Sequence, residues 1–332
     1  MDRREFVKKT ALASTLIGIP NLSYATNTLN SYENKNPFNI SLSQWAFERD
    51  IFGNSRANYR WFSKMLLSQP KAVLQGSLDP TDIVVKAKEL NLKGVDLVTS
   101  MIQSHKEDKK WLCDFKGKAK DHDVKFICLM ADTHYKIGDT NPASRALSIK
   151  DHMKWIDAAA ELECEHLRVN PFGNGTYLET LHNCSDSLVQ LADYAKKQGI
   201  LLTVENHGHP SSNGAWTNML FEMTAHKNMG LFLDFGNFFM GGFNVRPRRY
   251  YDTTQGVIDL APFASGISAK TRSFLENGNE ASIDYDACVK EVMKYGFKGW
   301  MSAEYAGTEF NSTEGAKKTV ALLRRIQKDY TY

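Results

Sequence analysis

The chain has 332 residues, of which 42% are apolar and 24% charged, with a formal net charge of +3. This composition excludes a disordered chain, and the near-neutral charge argues against a nucleic-acid binder. Five scattered cysteines, none in a CxxC pair, exclude a disulfide framework. The length allows two domains or one α/β barrel of about 250 residues.

The first 25 residues are typical of a cleavable export signal. They contain basic residues around Arg3-Arg4, an apolar stretch over 10–19 that is too short to span a bilayer, and a small-x-small site ending at Ala25. Arg3-Arg4-x-Phe6-x-Lys8 resembles the twin-arginine signal, which exports folded proteins. An ordinary secretory signal with two chance arginines is the alternative. We therefore expect cleavage after Ala25 and a periplasmic or otherwise exported protein without a stable membrane span.

Strands and helices alternate along the rest of the chain. Residues 26–36 are polar and are predicted to be a flexible leader, and 37–332 are predicted to fold as one domain. Apolar runs predict strands, and runs with apolar residues at helical spacing predict helices. The predicted strands cover 38–45, 94–98, 125–132, 164–170, 201–205, 229–234, 266–272 and 299–304. The predicted helices lie at 80–90, 109–122, 149–160, 177–198 and 216–227, within 248–264, and at 283–295 and 313–330.

Eight consecutive strand–helix units predict a (β/α)8 TIM barrel. A doubly wound open sheet is the alternative. It is disfavoured because no Gly-x-Gly-x-x-Gly follows the first strand, which also argues against a nucleotide cofactor.

Three predicted strands end in an acid: the fifth in Glu205, the sixth in Asp234 and the eighth in Glu304. The carboxyl ends of barrel strands surround one centre, where TIM-barrel active sites lie. The pattern therefore predicts that the three carboxylates meet in one site.

From about Phe38 to Tyr330 the sequence resembles the xylose isomerase-like TIM-barrel family, which includes sugar isomerases, ketose 3-epimerases and the endonuclease IV branch. The resemblance implies a divalent metal ion, Mn²⁺ or otherwise Mg²⁺, Co²⁺ or Zn²⁺, bound by Glu205, Asp234, a residue of the seventh strand and Glu304. The two glutamates would remove and return a proton beside the carbonyl of a keto-sugar.

The seventh strand departs from the family pattern. Where the family has His-x-Lys, this chain has Ser268-Ala-Lys270. A serine hydroxyl is a poor ligand for Mn²⁺, and a charged lysine has no lone pair to offer. Three outcomes are open: an open metal site completed by water or substrate, a substitute ligand from His207 or His209, or no metal, with Lys270 supplying the positive charge.

Further polar residues at strand ends are suited to a polyhydroxylated substrate, because amides and guanidinium groups hydrogen-bond hydroxyls and an indole stacks on a sugar face. Structural pairing, core packing or helix capping is the alternative for each. The candidate substrate-binding residues are Gln44, Trp45, His134, Arg168, Asn170, Asn206, His207, Asn237 and Arg272.

The expected function is that of an exported carbohydrate isomerase or epimerase that forms an enediolate, with Glu205, Glu304 and Lys270 as catalytic residues. A lyase that cleaves a 3-keto-glycoside by β-elimination is a near alternative, and an inactive sugar-binding barrel is a second. A phosphodiesterase of the endonuclease branch is disfavoured, because the histidines of its metal cluster are missing. The expected partner is a small carbohydrate, and the sequence does not predict the oligomeric state.

Overall fold

The computed structural model describes residues 36–241 and 246–330. The predicted signal peptide and all but the last residue of the predicted leader lie outside these residues and stay predictions. Eight parallel strands close into a barrel in the order β1-β10-β9-β6-β5-β4-β3-β2, which confirms the predicted TIM barrel. The barrel strands are β1 (Asn39–Ser43), β2 (Gly94–Val98), β3 (Lys125–Ala131), β4 (His166–Val169), β5 (Leu201–Glu205), β6 (Met229–Asp234), β9 (Ala264–Thr271) and β10 (Trp300–Tyr305).

Helices follow the strands and form the outer layer. Side-chain caps fix the starts of most of them; Thr176 and Glu179, for example, form a capping box that begins the helix at Tyr177. None of the described helices is long and apolar enough to cross a membrane. The helices are α1 (Glu48–Phe52), α2 (Tyr59–Ser68), α3 (Ile83–Glu89), α4 (Lys109–Asp121), α5 (Pro142–Glu161), α6 (Tyr177–Lys197), α7 (Gly214–Thr224), α8 (Thr253–Leu260), α9 (Tyr285–Lys294) and α10 (Ser312–Asp329).

Two regions differ from the prediction. The segment between β1 and α3 contains α1 and α2, which the sequence analysis did not predict. The helix predicted within 248–264 is present as Thr253–Leu260, but Arg249–Tyr250 (β8), just before it, pairs with Phe239–Met240 (β7) in a short antiparallel hairpin that was not predicted. The Asp252 side chain then caps α8 by accepting a hydrogen bond from the backbone N–H of Gln255.

The barrel interior holds a buried acid on β2. Alternate residues of a strand face opposite sides, so Leu97 packs against the helices while Asp96 points into the barrel. Asp96 Oδ2 accepts hydrogen bonds from Ser41 and Ser302, and its Oδ1 has no hydrogen-bond partner in the described part of the chain. Burial raises the pKa of Asp96 to about 7, although the two serines oppose this shift.

Replacing Asp96 with asparagine is expected to favour the folded protein more at alkaline pH than at acid pH. The pKa of Asp96 is higher in the folded than in the unfolded chain. Its contribution to the free energy of unfolding is therefore complete below about pH 4 and is lost as the pH rises through 7. The loss is at most about 4 kcal/mol. Melting temperatures at pH 5 and pH 8 test this: the difference between the variant and the wild type should shift in the variant's favour by a few degrees from pH 5 to pH 8.

The exposed Asp121→Asn variant provides the matched control, and its melting temperature should follow that of the wild type at both pH values. An Asp96→Asn protein whose melting temperature differs from that of the wild type by the same amount at pH 5 and pH 8 would show that Asp96 ionises at an ordinary pH.

Candidate active site

The three acids predicted to converge do so, and two neighbouring side chains join them. The Lys270 ammonium lies 2.6 Å from Asp234 Oδ2 and 3.0 Å from Glu304 Oε1. The Asn237 amide Nδ2 donates to both Glu205 Oε1, at 3.1 Å, and Asp234 Oδ2, at 2.6 Å. One site at the carboxyl ends of β5, β6, β9 and β10 therefore contains all three carboxylates.

Lys270 reaches this centre because of the register of the barrel. β9 pairs with β10 so that Lys270 lies beside Glu304, while Ser268 lies beside Asp234 on β6. The ammonium also donates a hydrogen bond to Asn237 Oδ1 at 3.2 Å. Burial opposes its charge, but the surrounding carboxylates outweigh burial and raise the pKa of Lys270. Lys270 is therefore a fixed ammonium group.

Arg168 provides a second buried cation on the other side of the site. Its Nε lies 2.6 Å from Glu205 Oε2, and its Nη1 lies 2.6 Å from Asp132 Oδ1. The Nε–H is not aligned for a hydrogen bond with Glu205 Oε2, so this contact is an ion pair only. Asn170 donates to the same Asp132 oxygen at 2.9 Å. The ion pair holds Glu205 in place, and its buried Oε2 has no hydrogen-bond partner among the described residues.

Burial and charge shift the pKa values around this centre in different directions. Burial raises the pKa of Glu205 and of Asp234, and the nearby cations oppose these shifts in part. For Asp132 burial is outweighed by Arg168 and His207, so its pKa is lowered. Burial lowers the pKa of His207 to about 4, so its imidazole is neutral at physiological pH.

Serine hydroxyls hold the second glutamate. Ser43 and Ser268 donate to Glu304 Oε2 at 3.3 and 3.2 Å, while Lys270 occupies Oε1. Ser268, which stands at the family's histidine position, thus contacts a carboxylate.

Two predicted substrate-binding amides bond to the backbone. The Asn206 side chain accepts from the Asp234 N–H and donates to the Asp234 carbonyl, both at 2.8 Å. The Gln44 amide donates to the Pro80 carbonyl at 2.9 Å and accepts from the Val98 N–H at 2.8 Å. These contacts position strand ends.

Among the remaining predicted residues, Trp45 and Arg272 form hydrogen bonds with groups other than the three acids. The Trp45 indole donates to Asp132 Oδ2 at 3.1 Å, and Arg272 contacts the Gly236 carbonyl at 3.4 Å. His207 Nε2 is 4.0 Å from Glu205 Oε1. His134 is exposed and packs against Tyr135, and within the described residues no hydrogen bond or ion pair joins it to the three acids.

The sequence analysis missed Asp132 as a site residue. It follows the third strand directly and binds Arg168, Asn170 and Trp45, three of the predicted substrate-binding residues. The sequence did indicate this role, because Asp132 ends an apolar run as Glu205 and Asp234 do.

These residues, as arranged, do not fit the divalent metal ion that the resemblance implies. Across the described ranges, no three His, Cys, Asp or Glu side chains are placed to hold a metal. The Lys270 ammonium lies between the carboxylates of Asp234 and Glu304, and a second cation there would be repelled. His209, a proposed substitute ligand, packs edge-on against Phe172 with ring centroids 4.8 Å apart.

Several solved structures share this fold. A D-tagatose 3-epimerase-like protein has a TM-score of 0.61 at 16% identity, covering 88% of this chain and 98% of that one. A sugar phosphate isomerase/epimerase from Parabacteroides distasonis has a TM-score of 0.58 at 11% identity, with coverages of 91% and 97%. A 3-keto-D-glucoside 4-epimerase from E. coli has a TM-score of 0.55 at 15% identity, with coverages of 74% and 94%.

A comparison of the sequence with curated proteins gives no match. The sequence model of the xylose isomerase-like TIM barrel family, in contrast, matches residues 84–326, most of the chain. Together with the closed eight-stranded barrel, this match shows that the chain belongs to the xylose isomerase-like TIM barrel family.

Proposed function

We propose that this protein is a carbohydrate isomerase or epimerase that removes a proton from the carbon beside the carbonyl of a keto-sugar. The observation that supports this most directly is the pairing of each glutamate with its own buried cation, Glu205 with Arg168 and Glu304 with Lys270. Proton abstraction next to a carbonyl needs a carboxylate base and a cation or strong donor for the oxygen that becomes negative.

The geometry suggests how the two glutamates divide the work. Glu304 takes the proton as its carboxylate, the C–H electron pair forms the enediolate, and the carbonyl oxygen gains negative charge. Burial raises the pKa of Glu205, which favours its acid form compared with an ordinary glutamate. Glu205 then returns a proton to the enediolate and produces the epimer, and the reverse reaction exchanges the two roles.

The charges favour a neutral keto-sugar over a phosphorylated one. The positive charges of Lys270 and Arg168 are each already balanced by two carboxylates, so these cations provide no net positive charge for a phosphate group. Asp132 and Asn170 can instead bind hydroxyl groups, and the solved neighbours include ketose 3-epimerases and a 3-keto-D-glucoside 4-epimerase. The predicted export after Ala25 would place the enzyme where such sugars enter the cell envelope.

The test is solvent exchange in D₂O followed by proton NMR, with D-fructose, D-tagatose, D-psicose and a 3-keto-glucoside as substrates. We expect deuterium at the carbon beside the carbonyl of at least one sugar, with formation of its epimer or isomer. Release of an aglycone from the 3-keto-glucoside would instead identify the β-eliminating lyase. Sugar binding without exchange in every case would refute the proposal and identify a binding protein.

A further inference from the structure

The Lys270 side chain occupies the point where the acids of β6 and β10 meet. Three oxygens surround its ammonium: Asp234 Oδ2 at 2.6 Å, Glu304 Oε1 at 3.0 Å and Asn237 Oδ1 at 3.2 Å. Two carboxylates and an amide oxygen are the donor types that a hard divalent cation uses. Here the ammonium group bonds to all three oxygens in place of such an ion, and it carries one positive charge instead of two.

The position of this ammonium is fixed by its surroundings. Tyr285 donates its hydroxyl to the Lys270 carbonyl at 2.8 Å. Gly236 packs so closely on the lysine stem that a Cβ there would lie 3.2 Å from Lys270 Cβ and 3.1 Å from its Cγ. Only 7% of Lys270 is exposed. The charge is therefore preorganised, as electrostatic catalysis requires.

We propose that Lys270 is the built-in electrophile of this site and that the protein works without a divalent metal ion. The assignment rests on the proposed function: as the substrate binds, the ammonium exchanges its hydrogen bond to Asn237 Oδ1, the longest of the three at 3.2 Å, for one to the carbonyl oxygen that becomes the enediolate oxygen. Lysine stays protonated throughout. Glu304 takes one proton from the substrate, Glu205 gives it another, and proton exchange with solvent restores both groups after turnover. Ser268, in place of a histidine ligand, matches this arrangement, since its hydroxyl supports Glu304 at 3.2 Å.

This role differs from that of a Schiff-base lysine, which must lose its proton to attack a carbonyl. The carboxylates around Lys270 raise its pKa, so the free amine is suppressed. Borohydride added during turnover is therefore expected to trap no covalent adduct. Recovery of a reduced sugar adduct on Lys270 would overturn the assignment.

The central experiment is a titration of the purified wild-type protein with MnCl₂ by calorimetry and electron paramagnetic resonance, without sugar. We expect no stoichiometric binding, and an exchange rate that changes less than about twofold with EDTA. Tight binding of one Mn²⁺ per chain would refute the proposal, and so would loss of exchange in EDTA. The titration needs no activity, so it decides the metal question even if the proposed function fails for every sugar.

Variants then test whether Mn²⁺ can replace the Lys270 ammonium in this site. Lys270→Met should lower the exchange rate by about 10²- to 10³-fold, with the exposed Lys298→Met as an unchanged control. Ser268→His/Lys270→Ala removes the ammonium and restores the imidazole ligand, so this double variant should gain one Mn²⁺ per chain. Binding of Mn²⁺ by the wild type as tightly as by the double variant would contradict the inference. Circular dichroism establishes that each variant is folded.

Discussion

Replacing Glu304 with glutamine is expected to lower the epimerisation rate by about 10²- to 10⁴-fold, which is the usual contribution of one general base. Glutamine keeps the shape of the side chain and its contact with Lys270 but cannot accept the proton. Glu205→Gln should lower the rate by a similar factor, because each direction of the reaction uses both glutamates.

Deuterium exchange from each of the two epimers separates the roles of the glutamates. Each single variant should lose exchange from the epimer whose proton that residue removes and keep exchange from the other. The exposed Glu309→Gln, in the loop after β10, is the matched control and should leave both exchange rates unchanged. Full exchange from both epimers in Glu304→Gln would show that Glu304 carries no proton.

Replacing Arg168 with methionine is expected to destabilise the protein by about 3–5 kcal/mol, the usual cost of leaving one buried charge without its partner. Arg168 is 1% exposed and lies 2.6 Å from both Glu205 and Asp132. Thermal unfolding from pH 5 to pH 8 measures the effect.

The sign of the pH dependence follows from the two carboxylates. Burial already raises the pKa of Glu205, and losing Arg168 raises it further, so this group destabilises the variant more as the pH rises through that pKa. Arg168 also lowers the pKa of Asp132 against burial, a stabilisation present above its unfolded pKa that the variant lacks. The difference in melting temperature should therefore widen from pH 5 to pH 8.

A double variant, Arg168→Met/Glu205→Gln, is the control for this prediction. Removing the unpaired carboxylate should recover part of the stability, so the double variant should melt above Arg168→Met at pH 8. If it melts at the same or a lower temperature, the loss comes from packing of the arginine stem and not from the stranded charge.

The barrel and the convergence of its acids could be predicted from the sequence, because both depend on local patterns. Apolar runs of strand length repeat with helices between them, and the acids at 205, 234 and 304 follow the runs directly. Closure of the sheet then brings the strand ends together whatever the details of packing. The hairpin β7–β8 was not predicted, because its strands are only two residues long and form no apolar run.

The contacts within the site could not be predicted, because several polar groups compete for each hydrogen-bond partner. Asn237 was predicted to bind substrate, with helix capping as the alternative, but its amide joins Glu205, Asp234 and Lys270. Gln44 was predicted to bind a sugar through its amide, but this amide forms hydrogen bonds with the backbone of Pro80 and Val98. Such outcomes follow from register and side-chain reach, which no single stretch of sequence encodes.

The Asn206 amide bonds to both the N–H and the carbonyl of Asp234. These two hydrogen bonds link the carboxyl ends of β5 and β6. These bonds and the 2.6 Å ion pair between Asp234 and Lys270 connect the acids of neighbouring strands to one another. For the proposed sugar substrate, we expect discrimination between stereoisomers to come from the fit to this preformed arrangement.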